Sequence, residues 1–303
     1  DEMHNFYPYY YNQAVNTAWN TRLKGDYILF ARAGCAGSQQ YAASFGGDQG
    51  STFEGLRQAI MGGISISSSG FSVWGSDIGG LSATPTAEVY MRWLQFSAFS
   101  PLMRAHGFNK TPWYYGTEAQ NSFIKYYWLR ENLLDSIYSA NIASGKYGTP
   151  MMQSMQMAFP DSNNVKAVSD QYMFCNDLLV CPVYTEGARS RDIAFPEGIW
   201  YDLFTGEKVV GGSTKTVEAL LDEIPVYIAS GAVMPITLSD TTLKLSDSIS
   251  GTGRSALLIT PPTTEKTTEF FTDTTSDPTT YSIAPTSGNS FKITSNGSNQ
   301  SNG

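Results

Sequence analysis

Four residues carry the chemistry this sequence offers: Arg32, Asp48, Asp77 and His106. Arg32 closes the apolar run "DYILFAR". Asp48 follows two glycines in "FGGDQG", Asp77 stands in "GSDIGG", and His106 ends "MRAH". A carboxylic acid beside an arginine and a histidine, with no serine or cysteine in a nucleophile elbow, suits general acid–base catalysis. Glycoside hydrolysis is such a reaction, and it needs two carboxyl groups. One protonates the leaving oxygen while the other attacks the sugar or activates water; in retaining enzymes they stand about 5–5.5 Å apart. Asp48 qualifies as one of the pair, and Asp77 is a candidate for the other by proximity alone. Taken singly, each residue has an ordinary structural use: Arg32 in a surface ion pair, Asp77 in a turn, His106 in a core. Their joint position at the ends of apolar runs is what points to a site.

The surrounding pattern supplies a frame. Residues 4–23 read as a helix and 26–32 as a short strand ending in Arg32, with Asp48 in the loop that leaves it. Ser51 and Glu54 form an S-x-x-E capping box for a helix over 52–61, which Gly62-Gly63 would stop. Asp48 is then not needed as a cap and is free for another task. The segment "GISISSSGFSVWGSDIGG" reads as one or two strands of small residues ending at Asp77. Helices are expected over 86–99 and 117–145. Strands alternating with helices imply a parallel sheet, and in an α/β barrel the C-terminal strand ends line the active site. From about residue 150, short strands separated by Gly, Pro and polar turns indicate antiparallel β modules. The expected division is 1–150, 151–238 and 239–303, the last ending in the low-complexity run "SNGSNQSNG".

Composition narrows the partners. The 303-residue chain carries a formal net charge of −8 and no basic cluster, which argues against nucleic acid. Charged residues make up 15% and aromatics 13%, a balance suited to uncharged ligands that stack on rings, although core packing accounts for most single rings. No apolar run is long enough to span a bilayer, and no membrane partner is expected. Cys35, Cys175 and Cys181 lack metal-ligand spacing; Cys175 and Cys181 flank a strand-like run and are expected as buried free thiols. No cofactor is implied. Glycosylation triplets at Asn109, Asn296 and Asn299 suit a secreted or extracellular protein.

Longer stretches make the chain recognisable. "FARAGCAGSQQYAASFGGDQGSTFEGLRQAIMGG", "SGFSVWGSDIGGL", "YMRWLQFSAFSPLMRAHG" and "QYMFCNDLLVCPVYTEGARSRDIAFPEGIWYDLFTGE" resemble, in order and spacing, the second half of a glycoside hydrolase family 31 enzyme over residues 3–238. The resemblance implies the C-terminal part of a (β/α)8 barrel followed by β-sandwich domains. It matches Asp48 to the general acid/base, Arg32 to an arginine that hydrogen-bonds the sugar, and His106 to a histidine contacting its hydroxyls. Asp77 matches an aspartate lining the same subsite and supporting the arginine. Phe45 stands where many members carry tryptophan, and Trp74 is implied in the pocket wall. The family's nucleophile has no match and would lie upstream of Asp1. An amino-terminal chain or segment supplying it is therefore expected, since half a barrel exposes strand edges.

On this resemblance the activity is that of a retaining, exo-acting α-glycosidase releasing an α-glucosyl unit from α-linked oligosaccharides, with transglycosylation open. An α-xylosidase, toward which "MHN" and "GGD" lean, an α-glucosyltransferase and a non-catalytic carbohydrate-binding fragment are the alternatives.

Overall fold

The computed structural model describes residues 2–249, 251–288 and 290–296. The triplet at Asn299 and residues 297–303 of the low-complexity end lie outside them. Four short parallel strands, β1 (Phe30–Ala31), β2 (Ala43–Phe45), β3 (Trp74–Asp77) and β4 (Leu102–Arg104), lie side by side in chain order. Helix α1 (Glu2–Leu23) precedes them, α2 (Phe53–Ser68) joins β2 to β3, and α3 (Ala87–Ala98) joins β3 to β4. Two further helices follow, α4 (Thr117–Asn132) and α5 (Leu134–Tyr147), dividing at Leu133 the single helix expected over 117–145. This alternation, with helices packed on one face of a parallel sheet, is part of a (β/α)8 barrel. Strand β2 is absent from the sequence reading, so Asp48 leaves β2 and not the strand that ends near Arg32.

Strand alternation decides which residues face the site. Successive side chains point to opposite faces. Trp74 and Ser76 both turn to the helical layer: the Trp74 indole donates to Ser67 Oγ on α2 at 2.8 Å, and the Trp93 indole of α3 donates to Ser76 Oγ at 3.1 Å. Asp77, three residues after Trp74, must face the other way. Trp74 is therefore a buried core residue packed against Phe96, and its expected place in the pocket wall is corrected.

Beyond α5 the strands become antiparallel. They are β5 (Met152–Ser154), β6 (Tyr172–Phe174), β7 (Leu178–Val180), β8 (Ser190–Ala194), β9 (Ile199–Asp202), β10 (Lys208–Val210), β11 (Thr214–Glu218) and β12 (Val226–Ala229). One sheet runs in the order β10-β9-β12-β7-β6-β5, and β8 pairs with β11 as a ribbon. Next, β13 (Val233–Leu238) pairs with β14 (Arg254–Ile259), so pairing joins residues on both sides of 238. The last sheet holds β15 (Lys266–Phe270), β16 (Thr279–Pro285) and β17 (Phe291–Ser295). Cys175 and Cys181 bracket β7, unpaired and buried, and burial pushes both thiols up.

Helix α3 bonds the barrel to the first β module. It is buried on every side from Val89 to Ala98, so its polar residues must find partners inside. The Arg92 guanidinium donates to the carbonyls of Ala188, Ala219, Leu220 and Glu223, and Gln95 donates to that of Leu221. Burial brings Arg92 down to about 10. On α4, Arg130 donates to the carbonyls of Ala98, Ser100 and Pro101, fixing the turn that launches β4 toward His106.

The start and length of α2 differ from the sequence reading. Thr52, not Ser51, is the N-cap, its hydroxyl accepting from the Gly55 amide at 3.1 Å. Glu54 pairs with Arg57 and Gln58, and Ser51 is engaged elsewhere. The helix also runs through Gly62-Gly63 to Ser68, taking in residues expected as a strand. A Cβ on Gly63 would lie 1.9 Å from the Trp74 ring, whereas one on Gly62 would meet nothing within 4 Å. Close packing against Trp74 is thus the use of one glycine. Gly63→Ala is expected to destabilise the protein by about 1–3 kcal/mol through overpacking. Gly62→Ala should be neutral or stabilising by up to ~1 kcal/mol through helix propensity. Thermal unfolding of the two variants side by side checks the contrast.

Candidate active site

The loops at the C-terminal ends of β2, β3 and β4 meet at one end of the sheet. Leaving β2, the chain turns through Gly46 and Gly47, whose φ of +92° suits glycine, and presents Asp48. The Gly46 amide donates to the Gly75 carbonyl at 2.8 Å, and the Leu81 amide donates to the Gln49 carbonyl at 3.0 Å. The β3 loop therefore lies directly against the β2 loop. A Cβ on Gly80, which also has positive φ, would come within 2.7 Å of the Gly50 carbonyl oxygen, so only glycine permits this approach.

Asp48 and Arg32 form an ion pair, Arg32 Nη1 to Asp48 Oδ2 at 3.1 Å, with side chains 42% and 63% exposed. So exposed a pair contributes little to stability; what it supplies is a shared location for the two groups. Asp77 differs sharply. Its side chain is fully buried, and neither carboxylate oxygen accepts a hydrogen bond. Its neighbour is Arg104, whose Nε stands 3.3 Å from Asp77 Oδ1 without hydrogen-bond alignment. The register of β3 and β4 sets this pair opposite each other. Arg104 is itself sandwiched, its guanidinium carbon 5.0 Å from the Phe30 ring centre and 5.1 Å from that of Phe45. Such cation–π contacts hold an arginine without using its hydrogen-bonding fork.

Burial raises the Asp77 carboxyl above its ordinary value. Arg104 and then His106 pull it back, Asp48 pushes with burial, and Lys110 pulls down. These influences place Asp48, His106 and Lys110 within electrostatic reach of Asp77. His106 is exposed on the loop leaving β4. The structure thus gathers Arg32, Asp48, Asp77 and His106 around the C-terminal end of the sheet, puts Phe45 beneath Arg104, and sends Trp74 into the helical core.

One expectation changes. The family resemblance makes Asp77 the support of Arg32; here Arg32 pairs with Asp48, and Asp77 with Arg104. Topology explains the exchange, because β1 lies two strands from β3, roughly 10 Å away, whereas β4 is adjacent. Arg104 is the residue of this cluster that motif reading passed over. Its signal was present in the "MRAHG" run, as the strand-end partner of Asp77 in a parallel ladder. Among the described residues, no group of three or more His, Cys, Asp or Glu side chains is placed to hold a metal ion.

Strand-end carboxylates and arginines on a parallel β/α sheet are the hallmark of barrel enzymes, and comparisons with known proteins narrow the class. Residues 1–140 match the family model "Glycosyl hydrolases family 31 TIM-barrel domain", and residues 148–234 match "Glycosyl hydrolase family 31 C-terminal domain". The chain belongs to glycoside hydrolase family 31. It is 35% identical over 254 residues to an isomaltosyltransferase of Sporosarcina globispora, covering 79% of this chain and 23% of that protein. It is 36% identical over 241 residues to an alpha-xylosidase of Saccharolobus solfataricus, covering 77% and 33%. Among solved structures it resembles a cycloalternan-forming enzyme from Listeria monocytogenes in complex with a pentasaccharide substrate, with a TM-score of 0.89 and 30% identity. That likeness covers 94% of this chain and 28% of the other. The chain thus spans about a quarter to a third of the length of these relatives.

The raised Asp77 carboxyl has a consequence for stability. A carboxyl higher in the folded than in the unfolded state costs stability once ionised; the cost is absent below the ordinary 3.8 and grows as pH rises through the folded value. Asp77→Asn, which removes the buried charge, is expected to stabilise the protein at pH 7 by an amount on the order of 1 kcal/mol, read as a raised unfolding temperature. The gain should vanish toward pH 4. Differential scanning fluorimetry across that range would contradict this by showing a destabilised or pH-independent variant.

Proposed function

We propose that the chain carries the acid/base half of a retaining, exo-acting α-glycosidase active site that releases an α-glucosyl unit from α-linked oligosaccharides. The observation that carries this reading is the cluster of Asp48, Arg32, Asp77, Arg104 and His106 at the ends of successive barrel strands. Asp77, whose carboxylate is closed to solvent, serves by holding Arg104 at the neighbouring strand end. Asp48 gives its proton to the glycosidic oxygen and then, as its conjugate base, takes one from the incoming water or acceptor sugar. Arg32 holds the Asp48 carboxylate in place between the two half-reactions. Acid and nucleophile suffice for the reaction, and no cofactor is needed.

The nucleophilic carboxylate belongs, in this reading, to polypeptide outside these 303 residues. Three features support that. The outer edges of β1 and β4 pair with no further strand among the described residues. Phe6, Tyr7, Tyr10, Tyr11 and Trp19 of α1 are exposed on one helix, an apolar load that suits cover by the rest of a barrel. Asp48, at 42% exposure, lacks the burial expected of a proton donor, and an adjoining segment would supply it. Secretion, suggested by the glycosylation triplets, is retained as part of the proposal.

Relatives named as a xylosidase and as a transferase keep two variants of the reading in play: α-xyloside as substrate, and a sugar in place of water as acceptor. Initial rates of the complete enzyme on 4-nitrophenyl α-glucoside and α-xyloside separate the first, and the products formed at high maltose concentration separate the second. Asp48→Asn is expected to lower turnover of disaccharides by roughly 100-fold or more while largely sparing the glycosylation step on activated aryl glycosides. Equal loss on both substrates, or no loss on either, would remove Asp48 from the acid/base role.

A further inference from the structure

A buried lysine lies at the centre of the site loops, and neither the chemistry above nor the sequence motifs use it. Lys110, four residues after His106, is 4% exposed. Its ammonium donates to the Ser51 hydroxyl at 3.2 Å, the Gly79 carbonyl at 3.0 Å and the Ala83 carbonyl at 2.8 Å. An ammonium has three protons, and here each has an acceptor. No carboxylate takes part. The three acceptors belong to two other loops: Ser51 is three residues beyond Asp48, while Gly79 and Ala83 follow Asp77.

The contacts around Lys110 converge on the same junction. Ser51 Oγ donates to the Ala83 carbonyl at 2.5 Å and accepts from the Ala83 amide at 3.2 Å, so the lysine caps a cross-link already present between the loops. Asn109 donates to Thr84 Oγ1 at 3.1 Å, laying the β4 loop over the β3 loop. Gly107, at a φ of +103°, makes the turn that brings Lys110 inward; a Cβ there would lie 3.1 Å from Leu81. A surface lysine would stabilise none of this. A buried one with three neutral acceptors fixes three backbone segments at a point.

We propose that Lys110 is the positioning residue that sets the loops bearing Asp48, Asp77 and His106 relative to one another. It touches no reacting atom and acts through Ser51, Gly79 and Ala83. The proposal rests on the reading of Asp48 as acid/base for its kinetic consequence, but its structural consequence is independent. Misplacing a catalytic group by about 1 Å costs on the order of 100-fold in rate, and mostly in turnover.

The test compares the complete enzyme with its Lys110→Met, Lys110→Arg and Ser51→Ala variants by hydrogen–deuterium exchange and steady-state kinetics. In Lys110→Met, exchange is expected to rise at least about tenfold in both segments 47–52 and 78–84, with distant strands such as β6 and β7 unchanged. On a disaccharide, kcat should fall roughly 10–100-fold while KM moves less than about threefold, with a smaller loss on an activated aryl glycoside. Lys110→Arg should recover part of the kcat, and Ser51→Ala should loosen the same two segments more weakly. Unchanged exchange in both segments would overturn the proposal. So would a lowered unfolding temperature with kcat and KM preserved below it, which is the mark of a merely structural lysine. Should Lys110→Met fail to fold, exchange in Ser51→Ala and in Lys110→Arg decides. An enzyme inactive on every α-glycoside would defeat the proposed function, while the exchange data would still judge the lysine.

Discussion

A buried carboxylate without a hydrogen-bond donor is expensive, and Asp77 is one. Its ionised form is tolerated because Arg104 stands opposite in the next strand, clamped between Phe30 and Phe45. Neither group could be there without the parallel register that sets Asp77 and Arg104 side by side. That register in turn depends on the close approach of β3 and β4, where a Cβ on Gly75 would already collide with Leu102. The geometry of the pair is thus fixed by backbone spacing. The buried carboxylate is a local cost in stability, of the kind often found among the polar groups of functional sites.

Around that pair the molecule is tied together by buried or half-buried cations that point at neutral oxygens. Arg92 joins the barrel to the first β module, Arg130 fixes the approach to β4, and Lys110 gathers the loops. Each is held by a set of neutral acceptors: distant backbone segments for Arg92, a single turn for Arg130, and two other loops for Lys110. A carbonyl set of this kind has directional geometry and belongs to particular segments, so it specifies relative placement more tightly than a single salt bridge would. The β modules are therefore not appendages. Through α3 and the loop 219–223 they brace the helix that lies directly behind β3 and β4.

Much of this was legible in the sequence, and most of the failures share one cause. Helix α3 and the chemical residues at strand ends follow from local pattern: apolar runs, polar termini, glycine turns. Sequence reading went astray wherever a distant contact overrode a local rule. Ser51 and Thr52 both qualify as N-caps, and the choice fell to Thr52 because Ser51 is engaged by Ala83 and Lys110, 32 and 59 residues away. Gly62-Gly63 reads as a stop, yet the helix continues because Gly63 makes room for Trp74. The misplacement of Trp74 was avoidable, since an odd step from Asp77 along a strand puts it on the opposite face. Arg104 was avoidable in part: its position opposite Asp77 needs the register, which sequence alone does not print.

The central claim is that Asp48 works as proton donor opposite a nucleophile carried by other polypeptide. The most direct measurement is to trap the glycosyl-enzyme intermediate of the complete enzyme with a slow, activated α-glycosyl substrate and map the labelled peptide by mass spectrometry. A retaining enzyme forms an ester between sugar and nucleophile, and the label is expected on a carboxylate outside residues 1–303. A label on Asp48, Asp77 or any other carboxylate of this chain would contradict the account.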